Sequence, residues 1–164
     1  MTTARIVEAG SDDVADILGF IRDLAKFEKL EREVAATEQG LRETLFGPRK
    51  YAEALFVEAE GERVGFAIFF HNYSTFLGRP GLYLEDLYVR PEQRGQGYGK
   101  LLLQHLAGLA VARGCGRLEW WVLDWNRGAI DFYRSLGAEP MSDWTVYRLS
   151  GEALERLASP AAAD

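Results

Sequence analysis

With a single cysteine, Cys115, the chain cannot form an internal disulfide. No apolar run approaches the roughly 20 residues that a membrane-spanning helix requires, and the first residues lack a charged-then-apolar leader pattern, so no membrane partner and a cytoplasmic location are expected. There is no internal repeat, no low-complexity block and no Pro/Gly/Ser linker. Cations are the minority charge: 19 Lys and Arg stand against 25 Asp and Glu, for a formal net charge of −6. That balance argues against a nucleic-acid surface and suits a small cationic partner. Only two histidines occur; His71 and His105 read as ordinary strand-end and helix-surface residues, and no metal site is expected. Cys115, after Gly114 at the entry to a strand, reads as a small buried apolar residue rather than a nucleophile.

What is present is enough for one core: 164 residues, 48% of them hydrophobic. A single α+β domain over residues 1–158 is expected, with 159–164 a frayed tail. The first strand is predicted over 4–9. A helix follows, with Ser11 or Asp12 as N-cap and a buried stripe of Val14, Ile17, Leu18, Ile21, Leu24 and Ala25. Thr37 should cap a second helix, which Gly47-Pro48 ends. Segments 51–59 and 63–70 read as a hairpin around Glu60-Gly61-Glu62, followed by a loop holding Gly78, Pro80 and Gly81. Another strand is predicted over 83–89, then a helix over 100–113 closed by Gly114, and a strand over 118–123. Asn126 should cap a short helix that Gly137 closes, before a final strand over 144–149 and a last helix over 149–158.

The segment Arg94-Gly95-Gln96-Gly97-Tyr98-Gly99 joins the 83–89 strand to a helix and has the chemistry of an anion seat. Glycines let several N–H groups converge, and the helix adds the positive end of its dipole. Arg90, Arg94 and Lys100 bring charge close by. A Walker loop fails because Leu101 follows Lys100 where Ser or Thr is needed. A dinucleotide fingerprint fails because Lys100 or Leu102 stands where its third glycine belongs. A ligand-free β-to-α turn remains open on spacing alone.

Arg94-x-x-Gly97-x-Gly99 instead resembles the pyrophosphate loop of the Gcn5-related N-acetyltransferases, the GNAT superfamily. Leu24-Ala25-Lys26-Phe27-Glu28, Tyr83-Leu84-Glu85-Asp86-Leu87-Tyr88-Val89 and Asp124-Trp125-Asn126 extend the likeness to its diamine acetyltransferases, over nearly the whole chain. The resemblance implies a mixed, mostly antiparallel sheet flanked by helices, with splayed central strands. It implies acetyl-CoA as co-substrate, no metal, a small amine acceptor and a homodimer. Leu87, Tyr88 and Val89 would hold the pantetheine arm. Arg94, Gly95, Gln96, Gly97, Tyr98, Gly99 and Lys100 would hold the pyrophosphate. Asn126, Arg127, Gly128, Ala129 and Tyr133 would meet the cofactor again, with Tyr133 as general acid; core packing beside Ala129 and Leu136 is the alternative for Tyr133.

Glu85 and Asp86, adjacent in a strand, should face opposite sides of the sheet, so that only one meets the reacting nitrogen. The resemblance favours Glu85, through a water, with Asp86 as a supporting or separate contact. Phe27, Glu28, Glu119, Trp120 and Trp121 are candidates for the acceptor wall, the face of that last strand being open. Trp144 is either a partner-subunit contribution or a core residue. Relative to the polyamine-specific members, Ser74-Thr75-Phe76 replaces an expected acid and tryptophan, and the short segment from Gly137 to Trp144 has only Asp143 near where a glutamate-rich loop would be. The thinner acidic lining, together with Ser-Thr-x-x-Gly-Arg and Asp-Trp-Asn, points to the thialysine branch and a lysine-like amine or short diamine. Open alternatives are a protein amine, an amine drug, and an acyl-CoA-binding regulatory domain.

Overall fold

A computed structural model describes residues 3–160. The chain divides into two compact units, residues 1–121 and 122–164. The first is built on a five-stranded sheet in the order β1-β2-β3-β4-β5: β1 (Ala4–Glu8), β2 (Glu53–Ala59), β3 (Glu62–Ser74), β4 (Arg79–Val89) and β5 (Leu118–Trp120). The first four strands are antiparallel neighbours, and β5 runs parallel to β4.

Helix α1 (Val14–Phe27) and helix α2 (Glu38–Phe46) lie between β1 and β2 in sequence. The amphipathic stripe of α1 is buried as expected at Val14, Ile17, Leu18 and Ala25 and gains Phe20. Ile17 and Phe20 of α1 and Leu45 of α2 join Ala54, Phe56, Phe66, Ile68 and Tyr88 of the sheet in one core cluster. The predicted N-cap is displaced. Gly10 opens a 3-10 turn over Ser11–Asp13, and Asp13 holds the N-cap position of α1, its Oδ2 accepting from the Gly10 N–H at 2.7 Å rather than from a helix N–H. Thr37 caps α2 as predicted, its hydroxyl accepting from the Gly40 N–H at 3.0 Å.

Helix α3 (Tyr98–Ala112) follows β4 and buries Leu102, Leu103, Leu106 and Ala110. The β3–β4 hairpin is longer than the sequence suggested, because Pro80 and Gly81 lie inside β4 rather than in a loop, opposite Tyr73 and Asn72. Proline lacks an N–H but keeps its acceptor, and the Pro80 carbonyl takes the Gly116 N–H at 2.9 Å.

The second unit holds α4 (Arg127–Ser135) and α5 (Gly151–Ala158). Its predicted strand over 144–149 is absent: no described strand pairs with it, and Trp144, Val146, Tyr147 and Leu149 are exposed. A strand-like alternation does not stand alone, because its backbone groups need a neighbouring ladder. The expected tail falls partly on residues 161–164, which lie outside the described residues. No helix among the described residues is long and apolar enough to cross a membrane.

Candidate active site

The register of β4 decides where its side chains point. Tyr83 pairs with Phe70 and Leu84 with Phe69, but the next pair is Asp86 with Ile68, followed by Leu87 with Ala67 and Tyr88 with Phe66. Glu85 is therefore the extra residue of a β-bulge. Phe66, Ile68 and Phe70 share the sheet face covered by α1, so Tyr83, Asp86 and Tyr88 share it too. Glu85 stands two residues from Tyr83 and lies on that same face. The expectation of opposite faces for Glu85 and Asp86 fails because the bulge interrupts the two-residue alternation.

Asp86 pays electrostatically for this position. Burial, followed by the charges of Glu85 and Glu28, pushes its carboxyl up to about 7. Glu28, which caps the C-terminal end of α1, is itself raised by burial. Three carboxylates thus gather where α1 ends over β4. Beside them the Phe27 ring lies 6.4 Å from the Tyr88 ring. The Arg94 guanidinium sits 4.5 Å from the Phe27 ring centroid and 5.3 Å from that of Tyr88, and its Nε donates to the Val89 carbonyl at 2.9 Å. Arg90 lies 5.0 Å from the Phe20 centroid. Two of the three cations assigned to the anion seat therefore fold onto aromatic rings at the α1 face.

The glycine loop takes the form its sequence predicts. Gly95 and Gly97 have φ of 79° and 85°, a region closed to most side chains, and Gly97 is the N-cap of α3. The Arg94 N–H donates to the Pro91 carbonyl at 3.3 Å, and the next N–H with a partner is that of Leu101, which donates to the Gly97 carbonyl at 3.0 Å. Those of Gly95 to Lys100 find no acceptor among the described residues. Tyr98 is buried, its hydroxyl 3.3 Å from Gln96 Oε1, while Lys100 is exposed. Upstream, β5 pairs with β4 only from Leu82 to Leu84. Among the described residues no strand continues that ladder beside Glu85 to Val89, which is the splay expected between the central strands.

Cross-strand pairing shows on which face of the sheet the candidates for the acceptor wall lie. Glu119 pairs with Tyr83 and so lies on the α1 face; the Trp121 ring, 5.9 Å from the Tyr83 ring at 82°, lies there too. Trp120 pairs with Leu84 on the opposite face, away from the carboxylates. In the second unit the Asn126 side chain accepts from the Ala129 N–H at 3.3 Å and caps α4, which carries Arg127, Gly128, Ala129 and, with its ring 5.7 Å from Phe132, Tyr133. Trp144, 76% exposed, is not a core residue within this chain.

A strand edge without a partner leading into a cradle of backbone donors is a geometry for a long, anionic co-substrate, and the family profile agrees. The description "Acetyltransferase (GNAT) family" matches residues 19–138. The chain belongs to the GNAT acetyltransferase family. A thialysine N-epsilon-acetyltransferase of Bos taurus is 40% identical, over 96% of this chain and 99% of that protein. An L-ornithine N5-acetyltransferase of Arabidopsis thaliana is 34% identical, over 94% of this chain and 87% of that protein. Among solved structures, an integron cassette protein from the mobile metagenome of V. cholerae superposes with a TM-score of 0.81 at 27% identity, covering 96% of this chain and 98% of that one. The GNAT chain described here is thus an N-acetyltransferase that uses acetyl-CoA to acetylate amines.

Proposed function

We propose that this enzyme acetylates the primary amine of a small lysine-like acceptor or short diamine, and that the β4 bulge is its acceptor site. The observation that carries the reading is the gathering of Glu28, Glu85 and Asp86 on one face, at the far end of segment 85–89 from the donor cradle. The thialysine and ornithine substrates named for the relatives support an acceptor of this class.

Acetyl-CoA supplies an activated acetyl thioester when bound. The N–H groups of Gly95 to Lys100 would hold its pyrophosphate, and the backbone of Leu87, Tyr88 and Val89 would take its pantetheine arm along the unpaired edge. Asn126 and the first turn of α4 are assigned a further contact. An alkylammonium has a pKa near 10 and no lone pair, so a group on the protein must first receive its proton. Glu85 and Asp86 are assigned that role as a pair. Two carboxylates crowded on one face cannot both hold full charge cheaply, which keeps a proton acceptor poised near neutrality at Asp86. Phe27, Tyr83 and Trp121 would receive the carbon chain. The Tyr133 hydroxyl, protonated at neutral pH, would return a proton to the departing thiolate. The proposed route uses neither a metal nor a covalent enzyme intermediate.

We assign both units to one catalytic domain over 1–158, acting in the cytoplasm as a homodimer. The exposed segment Trp144 to Leu149 supports the dimer, because it has strand-forming residues and no described partner strand. Release of the CoA thiol with thialysine, lysine, short diamines, spermidine and spermine at about pH 8 tests the function. Turnover with the lysine-like and short acceptors is expected. Acetyl-CoA binding without turnover of any of them overturns the acceptor class.

A further inference from the structure

Next to the acceptor face, three cross-strand neighbours form an arrangement that the acetyl-transfer chemistry does not use. Asn72 of β3 stands opposite Gly81 of β4, with Arg117 on the far side of that glycine. Gly81 has no side chain. A Cβ there would run into the Asn72 amide and lie 3.5 Å from Arg117 Cγ, so the two neighbours lean over a gap that glycine alone leaves open. Both reach Glu119: Asn72 Nδ2 donates to its Oε1 at 3.2 Å, and Arg117 Nε is ion-paired with the same oxygen at 2.7 Å. Two donors converge on one carboxylate oxygen, and nothing among the described residues donates to Oε2. Among the described residues the terminal nitrogens of Arg117 make no hydrogen bond, and its ion-pair contact with Glu119 is through Nε. Both side chains keep solvent access, at 43% for Arg117 and 35% for Glu119.

We propose that Glu119 and Arg117 clamp the zwitterionic head of an amino-acid acceptor, with Asn72 and Gly81 as the positioning residues that set the clamp. Glu119 Oε2 takes the α-ammonium. The Arg117 guanidinium, anchored through Nε, offers its terminal N–H groups to the α-carboxylate, for which its planar donor geometry is suited. The distance to the proton-accepting pair fits such a ligand. Glu119 is level with Tyr83, and Asp86 lies three residues along β4, roughly 7–10 Å away. An extended lysine-like side chain bridges its two nitrogens over a similar span. The Tyr83 and Trp121 rings lie beside Glu119, where they flank the methylene chain. The clamp rests on the acceptor class proposed above and narrows it from amines in general to amino acids with a terminal amine.

The test is a cycle of chemical and protein variants, using four acceptors with a common reactive end: L-lysine, 1,5-diaminopentane without the carboxylate, 6-aminohexanoate without the α-amine, and n-pentylamine without either. In the unaltered enzyme kcat/KM should be highest for lysine. Glu119→Gln should cut at least tenfold the advantage that an α-ammonium confers, seen as lysine over 6-aminohexanoate. Arg117→Met should do the same to the advantage that the carboxylate confers, seen as lysine over 1,5-diaminopentane. Both losses should appear in KM rather than kcat, because neither group touches the reacting amine. Gly81→Ala, which displaces the Asn72 amide, should reproduce a weaker form of the Glu119 effect. Asn72→Asp, which removes the donor and adds a repelling charge, should do so as well. Ratios unchanged in both Glu119→Gln and Arg117→Met, in an enzyme that acetylates the series, overturn the clamp and leave the amine reading standing. Absence of turnover for all four acceptors, with acetyl-CoA bound, overturns both.

Discussion

The two ends of the second half of β4 are chemical opposites. At Glu85 and Asp86 the strand bulges and brings carboxylates together under the end of α1, to the point that one is pushed up to about 7. Eight residues after Asp86 the same chain enters the loop 94–99, whose two positive-φ glycines present a run of N–H donors with no carboxylate among them. On the proposed reading, one end would select a cation and hold a proton acceptor, and the other would select an anion. The backbone between them, with one edge unpaired, is the line along which the two ligands would meet. The difference teaches that a single strand can bring oppositely charged reactants together without pairing its own charges, provided that the acidic side chains and the amide donors are kept at separate ends.

Disabling the acidic end should have the largest effect. Glu85→Gln combined with Asp86→Asn is expected to lower kcat/KM by about 10³, within the range that removal of general acid–base catalysis usually costs. Acetyl-CoA affinity, measured by calorimetry, should change little. A comparable loss of cofactor affinity would mean that the two ends are not separate. Tyr133→Phe tests the protonation of the thiolate and is expected to slow kcat by about 10² with cofactor affinity intact. Unchanged turnover would remove Tyr133 as the acid.

Breaking the donor end is the converse experiment. Gly97 has φ of 85°, so an alanine there is strained although nothing crowds its Cβ. Gly97→Ala should therefore weaken acetyl-CoA by about tenfold through the loop's shape, at a cost in stability of about 1 kcal/mol. The KM for the amine should stay close to that of the unaltered enzyme. A raised amine KM with unchanged cofactor affinity would reverse the assignment of the two ends.

Much of this arrangement is legible in the sequence, and the exceptions have physical causes. The Thr37 cap, the α1 stripe, the glycine loop and the Asn126 cap are local signals, each set by residues within one or two turns, and each forms where expected. The bulge is not local. Tyr83 to Val89 reads as an unbroken strand, and only pairing with Ile68 and Phe69 shows that Glu85 is supernumerary. The side to which Glu119 points follows from its pairing with Tyr83, which periodicity in so short a strand cannot supply. Pro80 and Gly81 carry turn signals that the long β3–β4 ladder overrides. A glycine inside a strand can mark close approach of a neighbour, and Gly81 does so for Asn72. The 144–149 segment fails as a strand because no described strand pairs with its backbone, and strand-forming residues alone do not make a ladder.

The smallest expected effect is the most direct reading of the acidic end's cost. The Asp86 carboxyl ionises near 3.8 in an unstructured chain and at about 7 in the fold, so the folded state binds the extra proton between those values. Stability from this group is full below the lower value and is lost as pH rises through the upper one. Asp86→Asn removes the titration and should therefore raise stability at pH 8 relative to the unaltered protein, with the gain shrinking toward pH 4. The shift alone would correspond to about 4 kcal/mol; partial exposure of Asp86 and relaxation around it reduce the expected gain to about 1 kcal/mol. Urea unfolding at the two pH values measures the difference. A variant that is less stable at pH 8 would show that Asp86 is held by favourable partners rather than crowded by Glu85 and Glu28. The acidic end would then be a structural network and not a strained proton acceptor.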